Sequence, residues 1–386
     1  MTEYDIVIIG GGIHGVGCAQ TAAARGYKTL LIEKTELAAG TSGRSSKLIH
    51  GGLRYLESGQ YRLVRESLRE RELLLKLAPD LVRIAPFHIP VYRTTRRRPW
   101  QLRIGLTMYA ALAGLTPHAR FGTVPRRQWD TLDGLATNEL QAVFRYFDAQ
   151  TDDAALTRAI WRSAAKLGAE LLHPAEFIAA EQQRDGYAVR MQVSGNTQEC
   201  HARALINAAG PWVHLAMKRI SPAPDAPPVA LVQGTHIVLD IPLHAGNYYT
   251  EASDGRAVFC MPWHGQTLVG TTESAYAGDP DNAVPLHAEI EYLRATHRHY
   301  FPARDAVVVD SFSGLRVLPQ AAGAAFHRSR APRILHTPAH PALVAIYGGK
   351  LTGYRATAER TLALLRGSLP APRAAYDTAR IALSAD

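Results

Sequence analysis

A chain of 386 residues, 47% of them apolar, can bury a large core and exceeds the usual single domain of about 100–150 residues, so one large or two interleaved domains are expected. Its 43 Lys and Arg against 34 Asp and Glu leave a formal charge of +9, which suits anionic small molecules, nucleic acid or an anionic membrane surface. No zinc-finger spacing, aromatic-rich RNA motif or tail of like charges accompanies that charge, so nucleic acid is not expected as a partner.

Cys18, Cys200 and Cys260 are widely spaced and form no C-x-x-C pair. Neither a disulfide framework nor a metal site is indicated, and a reducing cytoplasm fits. A strand-like run begins just after Met1, so no secretory leader is expected. No stretch of about 18 apolar residues suggests a membrane span, and any membrane contact is expected to be peripheral, on the inner face.

In chain order, Tyr4 to Ile9 reads as a buried strand, Gly15 to Arg25 as a helix and Lys28 to Glu33 as a second strand, which closes a βαβ unit. Tyr61 to Leu77 alternates charged and apolar residues at helical spacing. Arg96-Arg97-Arg98-Pro99-Trp100-Gln101-Leu102-Arg103 leads into the apolar stretch Ile104 to Leu115, which suits either a membrane interface or a buried helix with a basic start.

Asp185-Gly186 and Ser194-Gly195-Asn196 break a β-meander that ends in a strand from Ala204 to Asn207. After a linker marked by Pro222, Pro224, Pro227 and Pro228, the runs Val229 to Asp240 and Arg256 to Thr272 read as strands of a second, antiparallel sheet mixed with helices. Leu343 to Tyr347 gives a last buried strand, Gly348-Gly349-Lys350 a tight loop and Leu351 to Leu365 a helix that returns the chain to the first sheet.

Gly10-x-Gly12-x-x-Gly15 lies between strand and helix, with Glu33 closing the second strand. This is the arrangement that binds the ADP half of a dinucleotide: Gly10 makes the turn, Gly12 admits the pyrophosphate and Gly15 lets helix and strand pack closely. The helix N-terminus offers unpaired N–H groups and a positive dipole end, His14 reads as a residue of the phosphate loop, and Glu33 accepts from the ribose hydroxyls. FAD and NAD share this half, but the hydroxyl- and glycine-rich stretch Gly40 to Tyr55 suits an extended flavin nucleotide.

Ser45-Ser46-Lys47-Leu48-Ile49-His50-Gly51-Gly52-Leu53-Arg54-Tyr55-Leu56, Arg103-Ile104-Gly105-Leu106, Asn207-Ala208-Ala209-Gly210-Pro211-Trp212, Gly270-Thr271-Thr272, Ser313-Gly314-Leu315-Arg316 and Gly348-Gly349-Lys350-Leu351-Thr352-x-Tyr354-Arg355 together closely resemble the FAD-dependent glycerol-3-phosphate dehydrogenases. The resemblance is collinear over nearly the whole chain. It implies a mixed α/β and α+β fold, with a glutathione-reductase-like FAD-binding domain (1–80, 145–220 and 335–386) and an antiparallel-sheet substrate domain (81–144 and 221–334).

The same resemblance implies FAD contacts from Gly10, Gly12, Ile13, His14, Gly15, Glu33, Lys34, Thr41, Ser42, Ser45, Ser46, Lys47, Leu48, His50, Gly51 and Gly52. Further contacts are implied from Ala209, Gly210, Trp212, Gly314, Arg316, Gly349, Lys350, Leu351 and Thr352. His50 beside the flavin reads as a packing or hydrogen-bonding residue, with a covalent link as the alternative.

Three departures bear on substrate and electron acceptor. Members of the family usually continue into a C-terminal helical domain, whereas this chain stops soon after the helix following Lys350; the loop from Val317 to Gly323 is short; and Ala155 stands where arginine is common.

The implied reaction is oxidation of sn-glycerol 3-phosphate to dihydroxyacetone phosphate, with electrons passed to a quinone or another acceptor. Oxidising a secondary alcohol needs a cationic shell around the nascent alkoxide, for which Arg316 and Lys350 are candidates. Lys350 or a neutral His236 can take the proton, and the choice between them stays open. Arg54, Tyr55 and Arg328 are the implied substrate contacts, since arginine offers bidentate donors to a phosphate. A helix starting at Leu351 would add its dipole near Lys350. A 2-hydroxy acid or amino acid substrate, or a non-catalytic flavin-binding subunit, are the alternatives. Oligomeric state is not legible.

Overall fold

The computed structural model describes residues 2–320 and 331–385. Two sheets organise them. In the first, the neighbours in order are Ile220–Ser221, Ala175–Gln183, Gly186–Val193, Asn196–Asn207, Thr2–Ile9, Thr29–Ile32 and Glu170–Leu172, and His340–Tyr347 with Arg333–Thr337 adds to Asn196–Asn207. Thr2–Ile9 runs parallel to both Asn196–Asn207 and Thr29–Ile32, and the end of Asn196–Asn207 runs parallel to His340–Tyr347. The meander through Ala175–Gln183 and Gly186–Val193 is antiparallel, as the turn residues predict.

The helices are α1 (Ile13–Ala24), α2 (Tyr61–Leu77), α3 (Pro99–Leu112), α4 (Asp153–Lys166), α5 (Val213–Lys218), α6 (His287–Tyr300) and α7 (Tyr354–Leu364). Strand Thr2–Ile9 is apolar on both faces because both are covered. Ile6 and Ile8 join a core with residues of α1, α4 and α7, whereas Val7 and Ile9 pack with Val213, Ala216 and Met217 of α5.

The second sheet is largely antiparallel: Ser274–Tyr276, Val229–Leu239, Gln266–Gly270, Ala257–Trp263, Asn247–Glu251, Val82–Tyr92, Leu140–Thr151 and Leu48–Ile49 follow in order, with Val308–Pro319 beside Val229–Leu239. The run expected from Arg256 to Thr272 is two strands, turned at His264-Gly265, both at positive φ. Expected domain limits at 145 and 334 fall inside Leu140–Thr151 and Arg333–Thr337.

The helix expected from Leu351 is corrected. Leu351–Gly353 is a single 3-10 turn, and α7 begins at Tyr354 with Gly353 as its N-cap. Lys350 therefore stands one turn away from the α-helical N-terminus, and the dipole contribution, which fades within a turn, is small there.

Candidate active site

Four parallel strands of the first sheet end at Ile9, Ile32, Asn207 and Tyr347, and the loops after all four face one cavity. A crevice outside the carboxyl ends of parallel strands is where nucleotide ligands sit in such sheets. This cavity has a volume of about 610 Å³, within the range of about 300–1,000 Å³ typical of ligand sites. Its far wall comes from the second sheet, through Gly234, His236, Thr271 and residues 314–318.

The glycine loop is shaped by its neighbours. Gly10 holds φ +101, and a Cβ there would lie 2.8 Å from the Ala208 carbonyl; a Cβ on Gly15 would lie 1.8 Å from the Gly10 carbonyl. Glu33 is oriented rather than loose: Oε2 accepts from the Gly11 N–H at 2.6 Å, and Oε1 accepts from the Thr35 N–H at 2.9 Å. Ser42 Oγ accepts from the Ile13 N–H at 2.8 Å, which binds the hydroxyl-rich loop to the start of α1. Lys34 lies over the Trp212 ring at 4.5 Å and pairs with Asp281, so a loop of the second sheet closes this end.

At the other end lie His236, Arg316, Lys350 and Tyr55. His236 Nε2 shares a hydrogen bond with Ser46 Oγ at 2.9 Å, and its ring stacks on Phe312. Burial, with Arg316 and Lys47 nearby, pushes it down to about 3, so it is neutral at physiological pH. Arg316 donates to Glu273 Oε1 at 2.5 Å, to Thr271 Oγ1 at 3.2 Å and to the Thr272 carbonyl at 3.1 Å. Lys350 Nζ lies 3.8 Å from the Tyr55 ring centroid, a cation–π contact.

The cavity wall includes 21 of the expected cofactor contacts: Gly10, Gly12, Ile13, His14, Glu33, Lys34, Thr41, Ser42, Ser45, Ser46, Leu48, His50, Ala209, Gly210, Trp212, Gly314, Arg316, Gly349, Lys350, Leu351 and Thr352. Gly15, Lys47, Gly51 and Gly52 are not on it. Lys47 points into the protein, where Nζ meets Asp153 Oδ1 at 2.5 Å and the Gly43 carbonyl at 2.6 Å, so it braces the loop. Gly51 donates to the Tyr109 hydroxyl at 2.8 Å.

Arg54 lines a second cavity of about 470 Å³, with Arg96, Arg97 and Tyr249. Arg328 lies outside the described residues. Sequence reasoning assigned no role to Thr271, Glu273 or Asp281. The first was visible only as part of a motif, and the other two are placed by long-range pairing. Among the described residues, no group of His, Cys, Asp and Glu could hold a metal.

The residues present fit FAD: an oriented acidic residue, a glycine loop and helix start on the cavity wall, and a cavity of about 610 Å³. Buried Trp212 Nε1 has no hydrogen-bond partner among the described residues, although Trp212 lines that cavity.

Comparison with known proteins agrees. The chain is 36% identical over 375 residues to D-erythritol 1-phosphate dehydrogenase of Brucella abortus, covering 95% of this chain and 74% of that protein. It is 35% identical over 382 residues to the aerobic glycerol-3-phosphate dehydrogenase of Escherichia coli, covering 94% and 73%. The FAD-complexed glycerol-3-phosphate dehydrogenase structure from Bacillus halodurans superposes with a TM-score of 0.78 at 28% identity, covering 99% of this chain and 68% of that one. The profile of the FAD-dependent oxidoreductases matches residues 5–355, and the chain belongs to that family.

Proposed function

We propose that this protein oxidises sn-glycerol 3-phosphate to dihydroxyacetone phosphate, with FAD held along the cavity. The observation that carries this reading is one continuous cavity, with Glu33 and the glycine loop at one end and His236, Arg316 and Lys350 at the other. Bound FAD supplies the acceptor for the hydride that leaves the carbinol carbon.

The chain's own residues handle charge and proton. Arg316 and Lys350 stabilise negative charge on the substrate oxygen, and Tyr55 holds Lys350 in place. Neutral His236, anchored by Ser46, is the proposed acceptor of the hydroxyl proton, although burial lowers its basicity, and Lys350 is the alternative. Arg54 and Arg328 are the proposed phosphate donors, by resemblance to the family.

Electrons then pass to a quinone or another acceptor. The basic start and apolar face of α3 support a peripheral membrane contact: Trp100, Ile104 and Met108 recur every fourth residue and are all exposed, next to exposed Arg96, Arg98 and Arg103. No helix among the described residues is long and apolar enough to cross a membrane.

The Brucella abortus relative favours a second reading, in which the substrate is a longer polyol phosphate. Anaerobic addition of sn-glycerol 3-phosphate to the FAD-reconstituted protein should bleach the flavin absorption. Bleaching by D-erythritol 1-phosphate alone selects the second reading, and bleaching by neither rejects both.

A further inference from the structure

Glu289, in the first turn of α6, does not line the cavity, yet four side chains converge on its carboxylate. Oε1 accepts from Thr272 Oγ1 at 2.8 Å and Ser274 Oγ at 2.7 Å; Oε2 accepts from Gln233 Nε2 at 2.8 Å and Thr235 Oγ1 at 2.6 Å. The residue is 6% exposed. A carboxylate is kept in such a place only where donors replace its lost water, and here they come from two separate segments of the second sheet.

Those segments carry the reactive end of the cavity. Thr272 is fixed twice more to strand Val229–Leu239: its Oγ1 accepts the Thr235 N–H at 2.8 Å, and its N–H donates to the Thr235 carbonyl at 3.3 Å. The consecutive residues Thr271, Thr272 and Glu273 all accept from the Arg316 guanidinium. His236 follows Thr235 directly, and its ring lies so close to Gly270 that a Cβ there would fall 2.0 Å from Cδ2. Displacing the Thr235–Thr272 pair therefore displaces both Arg316 and His236.

We infer that Glu289 is a positioning residue for the oxidation: through Thr272 and Thr235 it fixes the distance between the Arg316 guanidinium and the His236 ring. The inference rests on the roles given to those two residues under the proposed function. Glu289 also accepts from the Leu286 N–H at 3.4 Å, as a helix-capping residue would. Capping alone would affect stability and leave turnover intact.

The test uses the FAD-loaded protein and compares Glu289→Gln, Arg316→Lys and the double variant. Glutamine keeps the size but turns one acceptor oxygen into a donor, so the hydroxyl bonds on that side must reverse or break. Glu289→Gln should retain FAD and lose about 10- to 100-fold in kcat/KM for sn-glycerol 3-phosphate. The double variant should lose less than the product of the two single losses, because both variants disturb one Arg316–His236 arrangement.

Wild-type kcat/KM in Glu289→Gln overturns the inference, as do losses that multiply in the double variant. Wild-type behaviour of Arg316→Lys instead removes the role of Arg316 itself, whatever Glu289 does. Should Glu289→Gln fail to fold, Thr272→Val cuts the same link without touching α6 and is judged by the same outcomes.

Discussion

The Tyr109 hydroxyl accepts the Gly51 N–H at 2.8 Å and donates to Asp148 Oδ2 at 2.6 Å. Asp148 also binds Arg71, whose guanidinium is wholly buried, at 2.7 Å. Burial raises the Asp148 carboxyl above the ordinary range, and the bonds from Arg71 and Tyr109 oppose that shift. Helix α3 is thereby hydrogen-bonded, through its inward face, to the loop that carries His50 and Tyr55. Tyr109→Phe removes one bond from the Gly51 N–H and one from the Asp148 carboxylate, at a cost of about 1–3 kcal/mol in all. Urea unfolding should show a lowered midpoint, and an unchanged midpoint would mean that the hydroxyl carries no structural weight.

Two glycines of the first loop separate ligand binding from folding. Gly12 lines the cavity, and a Cβ there would lie 3.0 Å from Ser42 Oγ, so valine projects into the space proposed for the pyrophosphate. Gly12→Val should fold but purify colourless. Gly15→Ala places a methyl 1.8 Å from the Gly10 carbonyl and should lower the yield of soluble protein itself. A yellow Gly12→Val protein would argue against this placement of the dinucleotide.

Acid should destabilise the protein through its buried histidines. Burial pushes His14, His88 and His297 down to about 4 and His236 to about 3, against 6.5 for the free side chain. Below pH about 6.5 the unfolded chain binds protons that the folded chain refuses, so stability is complete above that pH and falls as the pH drops towards 4. Thermal midpoints of the FAD-free protein should decrease across this window. His297→Leu removes one of these protons without touching the cavity, since His297 stacks on Phe301 and its Nε2 has no partner among the described residues. Its midpoint should depend less steeply on pH; an equally steep curve excludes His297 as a contributor.

The exposed face of α3 gives a binding prediction. Trp100→Asp with Ile104→Asp puts two carboxylates on the proposed membrane face and leaves the buried Leu106 and Tyr109 untouched. Co-sedimentation with vesicles rich in anionic lipid should fall at least about tenfold, while flavin reduction by substrate should persist. Equal sedimentation of both proteins would rule out this face.

Local chemistry was legible where the chain meets itself at short range. The βαβ unit from Thr2 to Ile32, the turns at Asp185-Gly186 and Ser194-Gly195 and the loop at Gly348-Gly349 each declare themselves through glycine placement and apolar runs. Lys47 illustrates the limit. It sits in a stretch rich in ligand-like residues, but its backbone at φ +58 and its pairing with Asp153, 106 residues away, turn the ammonium inward. The partners of Arg316 were hidden for the same reason, because Glu273 and Arg316 meet only when Gln266–Gly270 and Val308–Pro319 flank one strand. Pattern reports which groups are available, and sheet register decides which of them face the crevice.

The pairing of Lys34 with Asp281 ties the two halves of the molecule together across the mouth of the crevice. Both side chains are partly exposed, so the tie contributes little to stability. FAD held in this cavity would touch walls supplied by both sheets. Heat resistance should therefore rise with the logarithm of free FAD by mass action, and the emptied protein should be the form that proteases attack first.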